Sequence, residues 1–252
     1  MVKLKTIVDF LDTELKIKYF EDASHNGLQV ENSGNIKKVC VGVDASLEFF
    51  TLASKEDADL LICHHGLSWK DSLKRITGMN YNRLKFLIEN DIALYAAHLP
   101  LDAHPELGNN IQICEKLGLR NIEQFGNYNN MLLGFTGTLP TSLNLKEFKQ
   151  LVSKSIGKIV GTMDFGKTKV SSVAVVSGGA ASNILEAAEL GIDVFLTGEP
   201  ELTAYHIAQE CRINAVFAGH YSTEVFGVKA VARLLQEEFS IKAEFIDTKT
   251  PF

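Results

Sequence analysis

The sequence predicts an α/β protein with a two-domain protomer, in which mixed sheets are flanked by helices. Two observations predict this class. Short apolar runs alternate with segments of about ten to sixteen residues that have helical periodicity, and 252 residues exceed the usual size of one domain. Strands separated by helices imply parallel pairs with right-handed crossovers. Ligands of such sheets gather at the carboxyl ends of the strands, so we expect a site in a cleft there.

The first half has a β-α-β rhythm. Ile7, Phe10 and Leu11 are spaced for an opening helix over residues 6–15, and Ser46 is placed to cap a second helix. Asn26-Gly27 predicts a loop. The expected strands are 39–43, 59–63 and 92–97, and the expected helices after the first are 46–53, 81–89 and 110–117.

The polar stretch 121–130 separates the two halves. It carries Asn127 and the pair Asn129-Asn130, which are typical of a connection, so we expect a first domain at 1–125 and a second at 126–252. The second half repeats the alternation. The expected strands are 131–139, 173–176, 194–196, 215–218 and 242–246, and the expected helices are 146–156, one ending at 190, 202–211 and one ending near 239.

Charge and cysteine content limit the partners. Twenty-five Lys and Arg against 31 Asp and Glu leave a formal charge of -6, which disfavours binding to nucleic acid or to an anionic membrane surface. No apolar run approaches the roughly 18 residues that a membrane span needs. The cysteines stand singly, without a C-x-x-C pair, so we expect small buried residues in a cytoplasmic protein; they are Cys40, Cys63, Cys114 and Cys211.

Histidines follow two of the predicted strands in the first half. His64-His65 precede Gly66, so we expect both rings to leave the sheet at a turn and to converge on one site. Pro100 is expected to keep the loop after His98 extended, so that Asp102 projects toward the preceding strand's end. Two alternatives stay open: one ring of the pair is solvated while the other is buried, and Asp102 caps the turn before His104.

A histidine and a glutamate stand together near the C-terminus. His220 and Glu224 are four residues apart at a helix start, so both can reach one cation, although Glu224 could also serve only the helix dipole. Imidazoles and carboxylates without thiolates favour Zn, Fe, Mn, Co or Ni. The candidate ligands exceed one tetrahedral ion and suit two ions about 3.5–4 Å apart, bridged by Glu224; they are His64, His65, Asp102, His220 and Glu224.

Several motifs together resemble the NGG-interacting-factor-like family, whose bacterial and archaeal members are called GTP cyclohydrolase I type 2 homologues. They are Asn26-Gly-Leu-Gln-Val30, Asp59 to His65, Tyr95 to His98, Leu101-Asp-Ala103, Thr197-Gly-Glu199, and Gly219-His220 with Glu224. The resemblance implies a two-domain α/β protomer, a dinuclear metal site on those same five ligands, and a toroidal homohexamer. His98 and His206 match positions that line the site, where each would either ligate a metal directly or orient a ligand. Ser24-His25 departs from the family's Asp-Asn-x-Gly-Leu-Gln pattern.

Two metals with open positions favour hydrolysis. We expect a metal-dependent hydrolase of a nucleotide or another phosphorylated small molecule, GTP cyclohydrolase-like by resemblance. Ser177-Gly178-Gly179 could offer backbone N–H groups to a phosphate, although such a turn is commonly only a turn. The alternative function is a metal-binding scaffold or regulatory interaction protein without turnover.

Overall fold

The computed structural model describes residues 1–251 and divides them into two compact units. The first unit contains Met1–Leu101 and Gly227–Lys249, and the second contains Asp102–Phe226 with the residues after Lys249 up to 251. This division differs from the expected boundary after residue 125, which falls inside a strand. Asn129 and Asn130 have φ values of 50° and 64° and form the turn of a hairpin. The polar signal thus marks a turn within a sheet.

The helices and strands follow one another along the chain without long gaps. In chain order they are β1 (Val2–Lys3), α1 (Leu4–Glu14), β2 (Gly27–Val30), β3 (Asn35–Ile36), β4 (Lys38–Asp44), α2 (Leu47–Lys55), β5 (Leu60–His65), α3 (Gly78–Glu89), β6 (Ala93–Ala96), α4 (Leu99–Asp102), α5 (Asn109–Lys116), β7 (Arg120–Tyr128), β8 (Met131–Asn144), α6 (Leu145–Ser155), β9 (Gly161–Asp164), β10 (Lys169–Val175), α7 (Ile184–Glu189), β11 (Val194–Thr197), α8 (Leu202–Cys211), β12 (Asn214–Phe217), α9 (His220–Phe239) and β13 (Lys242–Phe245).

The first unit is built on a five-stranded sheet in the order β13-β4-β5-β6-β2. The first four strands are parallel, as expected, and β2 pairs with β6 in the antiparallel sense. The sequence predicted a loop where β2 begins. Ser46 caps α2 as predicted, because its side chain accepts a hydrogen bond from the Phe49 amide at 3.1 Å. Phe49 and Phe50 lie fully buried in the unit's core.

The second unit is built on a six-stranded sheet in the order β7-β8-β10-β11-β12-β9. Its centre, β10-β11-β12, is parallel and its outer pairs are antiparallel. Alternate residues of β10 enter two different hydrophobic clusters, Val173 with Phe148 and Ala174 with Phe195. Both faces of this sheet are therefore covered, which confirms mixed sheets flanked by helices.

Cysteine burial agrees with the sequence at three positions and disagrees at one. Cys40, Cys63 and Cys114 are buried free thiols, whereas Cys211 is exposed. The prediction for Cys211 was wrong: it shares the helical face of the buried Ala204 and Ala208, but it is the last residue of α8 and stays exposed. Among residues 1–251, no helix combines the length and the apolar character needed to cross a bilayer.

Candidate metal centre

Three histidines of the first unit form one ligand group. His64 and His65 are the last two residues of β5, and His65 still pairs with Asp44 of β4, so the expected turn at this dipeptide is wrong. The ring centroid of His98 lies 5.1 Å from that of His64 and 5.7 Å from that of His65. One ligand atom from each ring lies within 4.8 Å of the others. His98, whose direct ligation the resemblance left open, is therefore an equal member of this group.

Each of these rings is oriented through its Nδ1 atom. His64 Nδ1 donates to the Ala97 carbonyl oxygen at 2.9 Å, and His65 Nδ1 donates to an Asp44 carboxylate oxygen at 2.9 Å. His98 Nδ1 donates to Asp22 at 2.9 Å. Oxygen partners on Nδ1 leave Nε2 as the ligating atom and fix the ring plane, as in many metal sites. The geometry therefore favours three Nε2 ligands.

Asp22 and Asp44 were not predicted from the sequence as site residues. Asp44 is the last residue of β4, so the rule that ligands gather at strand ends could have found it. Asp22 lies only four residues before Asn26, just ahead of the Ser24-His25 pair that departs from the family pattern. His25, the departing residue, is exposed and hydrogen-bonds to Ser68 through Nδ1 at 2.6 Å.

Asp22 anchors the segment that carries His98. Its side chain is 2% exposed and also accepts hydrogen bonds from Asn26 Nδ2 at 2.9 Å and from the Leu99 amide at 3.1 Å. Burial raises its pKa, but His98, Asn26 and Ser24 together outweigh burial and lower the pKa to about 2. Asn26 also stabilises the backbone at His98, because its Oδ1 accepts a hydrogen bond from the His98 amide at 2.7 Å. The carboxylate is thus ionised at neutral pH and fixes the imidazole.

The second unit holds a histidine between two carboxylates. His220 begins α9, and its Nε2 lies 3.1 Å from Glu224 Oε1 while its Nδ1 lies 2.9 Å from Glu199 Oε1. Burial disfavours the imidazolium, yet Glu224 and Glu199 outweigh burial and raise the His220 pKa to about 9. Glu224 is 4% exposed, more buried than a carboxylate serving only the helix dipole needs to be. Glu199 was missed, although it follows β11 in the quoted Thr197-Gly198-Glu199 motif.

Gly178 is required beside this pair. Its φ is +65°, and a Cβ atom there would lie 2.4 Å from Glu224 Oε1. The Ser177 amide donates to Asn110 Oδ1 at 2.6 Å and the Gly178 amide to Thr223 Oγ1 at 3.0 Å. These two N–H groups are committed within the protein, so neither is left to bind a phosphate. The turn instead supports Glu224.

Asp102 is placed differently from the prediction. The segment Leu99–Asp102 is a short helix, not an extended loop, because Pro100 is tolerated in a first helical turn. Asp102 is buried, and its Oδ1 accepts from Asn109 Nδ2 at 2.8 Å and from Ser177 Oγ at 3.0 Å. The turn after it is capped by His104 Nδ1, which accepts from the Glu106 and Leu107 amides. One turn therefore contacts both parts of the site: Ser177 hydrogen-bonds to Asp102, and Gly178 packs against Glu224 and His220.

His206 lies apart from both groups. It is exposed on α8 with its ring centroid 5.4 Å from that of Tyr205, and it enters no ligand group within the described residues.

The remaining donors are imidazoles and carboxylates, a set that fits Zn, Fe, Mn, Co or Ni better than Ca or Mg. The fold and site thus define an α/β protein with histidine and glutamate groups that could bind a metal ion.

The chain belongs to the Duf34/NIF3 (NGG1p interacting factor 3) family, which it matches over residues 2–251. It is 42% identical over 244 residues to the GTP cyclohydrolase 1 type 2 homolog of Deinococcus radiodurans, covering 97% of this chain and 92% of that protein. The Archaeoglobus fulgidus homolog of the same name is 42% identical over 249 residues, with 99% of both chains covered. A solved structure of the protein ybgI superposes with a TM-score of 0.94 at 36% identity and 100% coverage of both chains. The family resemblance predicted from the motifs is confirmed.

Proposed function

We propose that this protein is a metal-dependent hydrolase of a nucleotide or another phosphorylated small molecule. Its proposed centre would hold two divalent ions on His64, His65, Asp102, His220 and Glu224, with Glu224 as the bridge and His98 as a further nitrogen ligand beside His64 and His65. The observation that carries the proposal is the group of three pre-oriented imidazoles, whose ligand atoms lie within 4.8 Å of one another. Three imidazoles this close together, each fixed through Nδ1, form a nitrogen donor set of the kind that Zn and similar divalent ions take.

The residues around the ligands have definable tasks. Asp22, Asp44 and the Ala97 carbonyl hold the three first-unit rings through Nδ1, so that each ring would ligate through Nε2. His220 is protonated at neutral pH, because its pKa is about 9, so it releases this proton when it becomes a ligand. When bound to these residues, two divalent ions would supply acidified water and would polarise a phosphoryl or carbonyl oxygen.

The choice of a nucleotide substrate is supported by the relatives. Both curated proteins described above are named GTP cyclohydrolase 1 type 2 homolog. Opening the imidazole ring of GTP by water is one hydrolysis such a centre could perform. It also requires a surface that holds a purine and a group that donates a proton.

The test is turnover that follows the metal. The full chain is stripped with chelator, reloaded with Zn, Mn or Fe(II), and assayed by chromatography against GTP and a panel of phosphorylated metabolites. We expect activity that disappears with chelation and returns with metal. Two bound ions per chain without turnover on any substrate would instead support the scaffold alternative. One tightly bound ion would contradict the dinuclear centre.

We also propose that the chain assembles as a cytoplasmic homohexamer. The resemblance implies a toroid, and several large apolar side chains support self-association because they are more than half exposed: Met79, Ile88, Leu190 and Leu202. Three buried free thiols are consistent with a reducing compartment. Light scattering on the purified protein tests the assembly, and a monomer at micromolar concentration would contradict it.

A further inference from the structure

Trp69 is the single tryptophan of the chain, and it lies beside the histidine group of the first unit. Its ring meets that of His98 edge to face, with centroids 4.9 Å apart and planes at 68°. The His65 ring lies 5.8 Å from it. The indole therefore borders two of the three imidazoles that form the candidate ligand group.

The loop after β5 fixes the position of this indole. Trp69 Nε1 donates to the Gly66 carbonyl oxygen at 2.7 Å, and the Trp69 amide donates to Ser72 Oγ at 2.9 Å. Its backbone also forms an antiparallel bridge with Ser24. Gln29 Oε1 holds the start of the loop by accepting from the Leu67 amide at 2.7 Å. An indole bound on several sides loses little freedom when a ligand arrives.

The Trp69 indole can contact a ligand through its aromatic face. Its N–H is already committed to Gly66, so Trp69 contributes no hydrogen-bond donor to a ligand. The side chain is only half-buried, although such a large apolar ring gains most from full burial. Planar heterocycles stack on indole rings, and this interaction tolerates different bases because each has a π-face.

We propose that Trp69 is the surface on which the planar base of the substrate stacks, so that the ligand of this site is a nucleoside phosphate. This inference rests on the proposed function and supplies the purine-holding surface that GTP ring opening requires. Trp69 would then determine affinity for the base, while the histidines and carboxylates act on the reacting atoms.

The experiment uses the fluorescence of the full chain, which has one tryptophan and therefore reports Trp69 alone. Metal-free and zinc-loaded protein is titrated with GTP and, in parallel, with inorganic tripolyphosphate. Stacking predicts saturable quenching by GTP and none by tripolyphosphate. Calorimetry is then run on Trp69→Ala, Trp69→Phe and, as a matched control, Tyr81→Ala, whose exposed ring lies on α3.

We expect Trp69→Ala to weaken GTP binding at least about fivefold and to leave tripolyphosphate binding unchanged. Trp69→Phe should restore most of the affinity, and Tyr81→Ala should match the wild type. Equal losses for both ligands, no loss for either, or absence of saturable quenching in the wild type would each overturn the inference.

The failure of this inference is distinguishable from failure of the proposed function. If Trp69→Ala keeps its metal, its chelator-sensitive turnover and an unchanged KM, only the stacking role is wrong. If the wild-type chain takes up no metal and turns over no substrate, yet GTP still quenches Trp69, only the hydrolase proposal is wrong.

Discussion

Replacing Glu224 by Gln tests the part of the site on which the dinuclear proposal depends most. The substitution keeps the shape of the side chain but exchanges one anionic oxygen for an amide NH₂ group, which cannot ligate a cation. A bridging carboxylate uses both oxygens, so two neighbouring ions would repel each other with less compensation. We expect the variant to lose at least one ion per chain and all hydrolase activity, while the fold survives.

The folding stability of the metal-free protein gives a second, independent test of Glu224. The His220 pKa rises from 6.5 to about 9, and this difference corresponds to about 3 kcal/mol at 1.36 kcal/mol per pH unit. His220 is 30% exposed, so solvent screens its ion pairs, and Glu199 contributes to the stabilisation of the imidazolium as well as Glu224. Together these two effects reduce the stabilisation due to Glu224 to about 1–2 kcal/mol. A raised pKa stabilises the fold below pH 6.5, and this stabilisation is lost as the pH rises through about 9.

Urea unfolding of the metal-free protein on both sides of this range measures the effect. Near pH 6 Glu224→Gln should be less stable than wild type by about 1–2 kcal/mol, and the difference should shrink above pH 9. Glu210→Gln, on an exposed part of α8, is the matched control and should change neither stability nor metal content. Retention of both ions at unchanged affinity would refute the bridging role, and an equal stability difference at both pH values would refute the His220 pairing.

Three further predictions concern other parts of the site and the assembly. Replacing all four cysteines by Ala or Ser should leave two ions per chain in elemental analysis, since the proposed ligands are nitrogen and oxygen atoms; loss of an ion would indicate a thiolate ligand. Asp22→Asn should weaken metal binding about 10–100-fold, because the fixed orientation of His98 is lost; unchanged affinity in a chelator competition would show that His98 is not a ligand. The hexamer should persist in high salt by light scattering, since apolar contacts must offset a charge of -6 per chain; salt-induced dissociation would point to ionic contacts.

Features that depend on near neighbours in the chain could be predicted from the sequence. Ser46 caps α2 because a side chain three residues before an amide can reach it in a helical turn. His220 and Glu224 meet because an offset of four places them on one side of α9. The parallel strands, and the histidines at their ends, followed from the alternation of apolar runs with helices.

Features that depend on sheet register and on distant partners were decided only by the tertiary structure. Asp22 orients His98 across 76 residues of sequence, and Asp44 orients His65 across 21. β13 pairs with β4, so residues near the end of the chain belong to the first unit. A single boundary in the sequence therefore cannot separate the two units. Such contacts arise when the strands fix which residues lie side by side, whereas the local sequence around Asp22 or Asp44 is compatible with many partners. The sequence alone therefore determined the types of candidate ligand and the strand ends that carry them, and the packing of the sheets determined which carboxylates hold them in place.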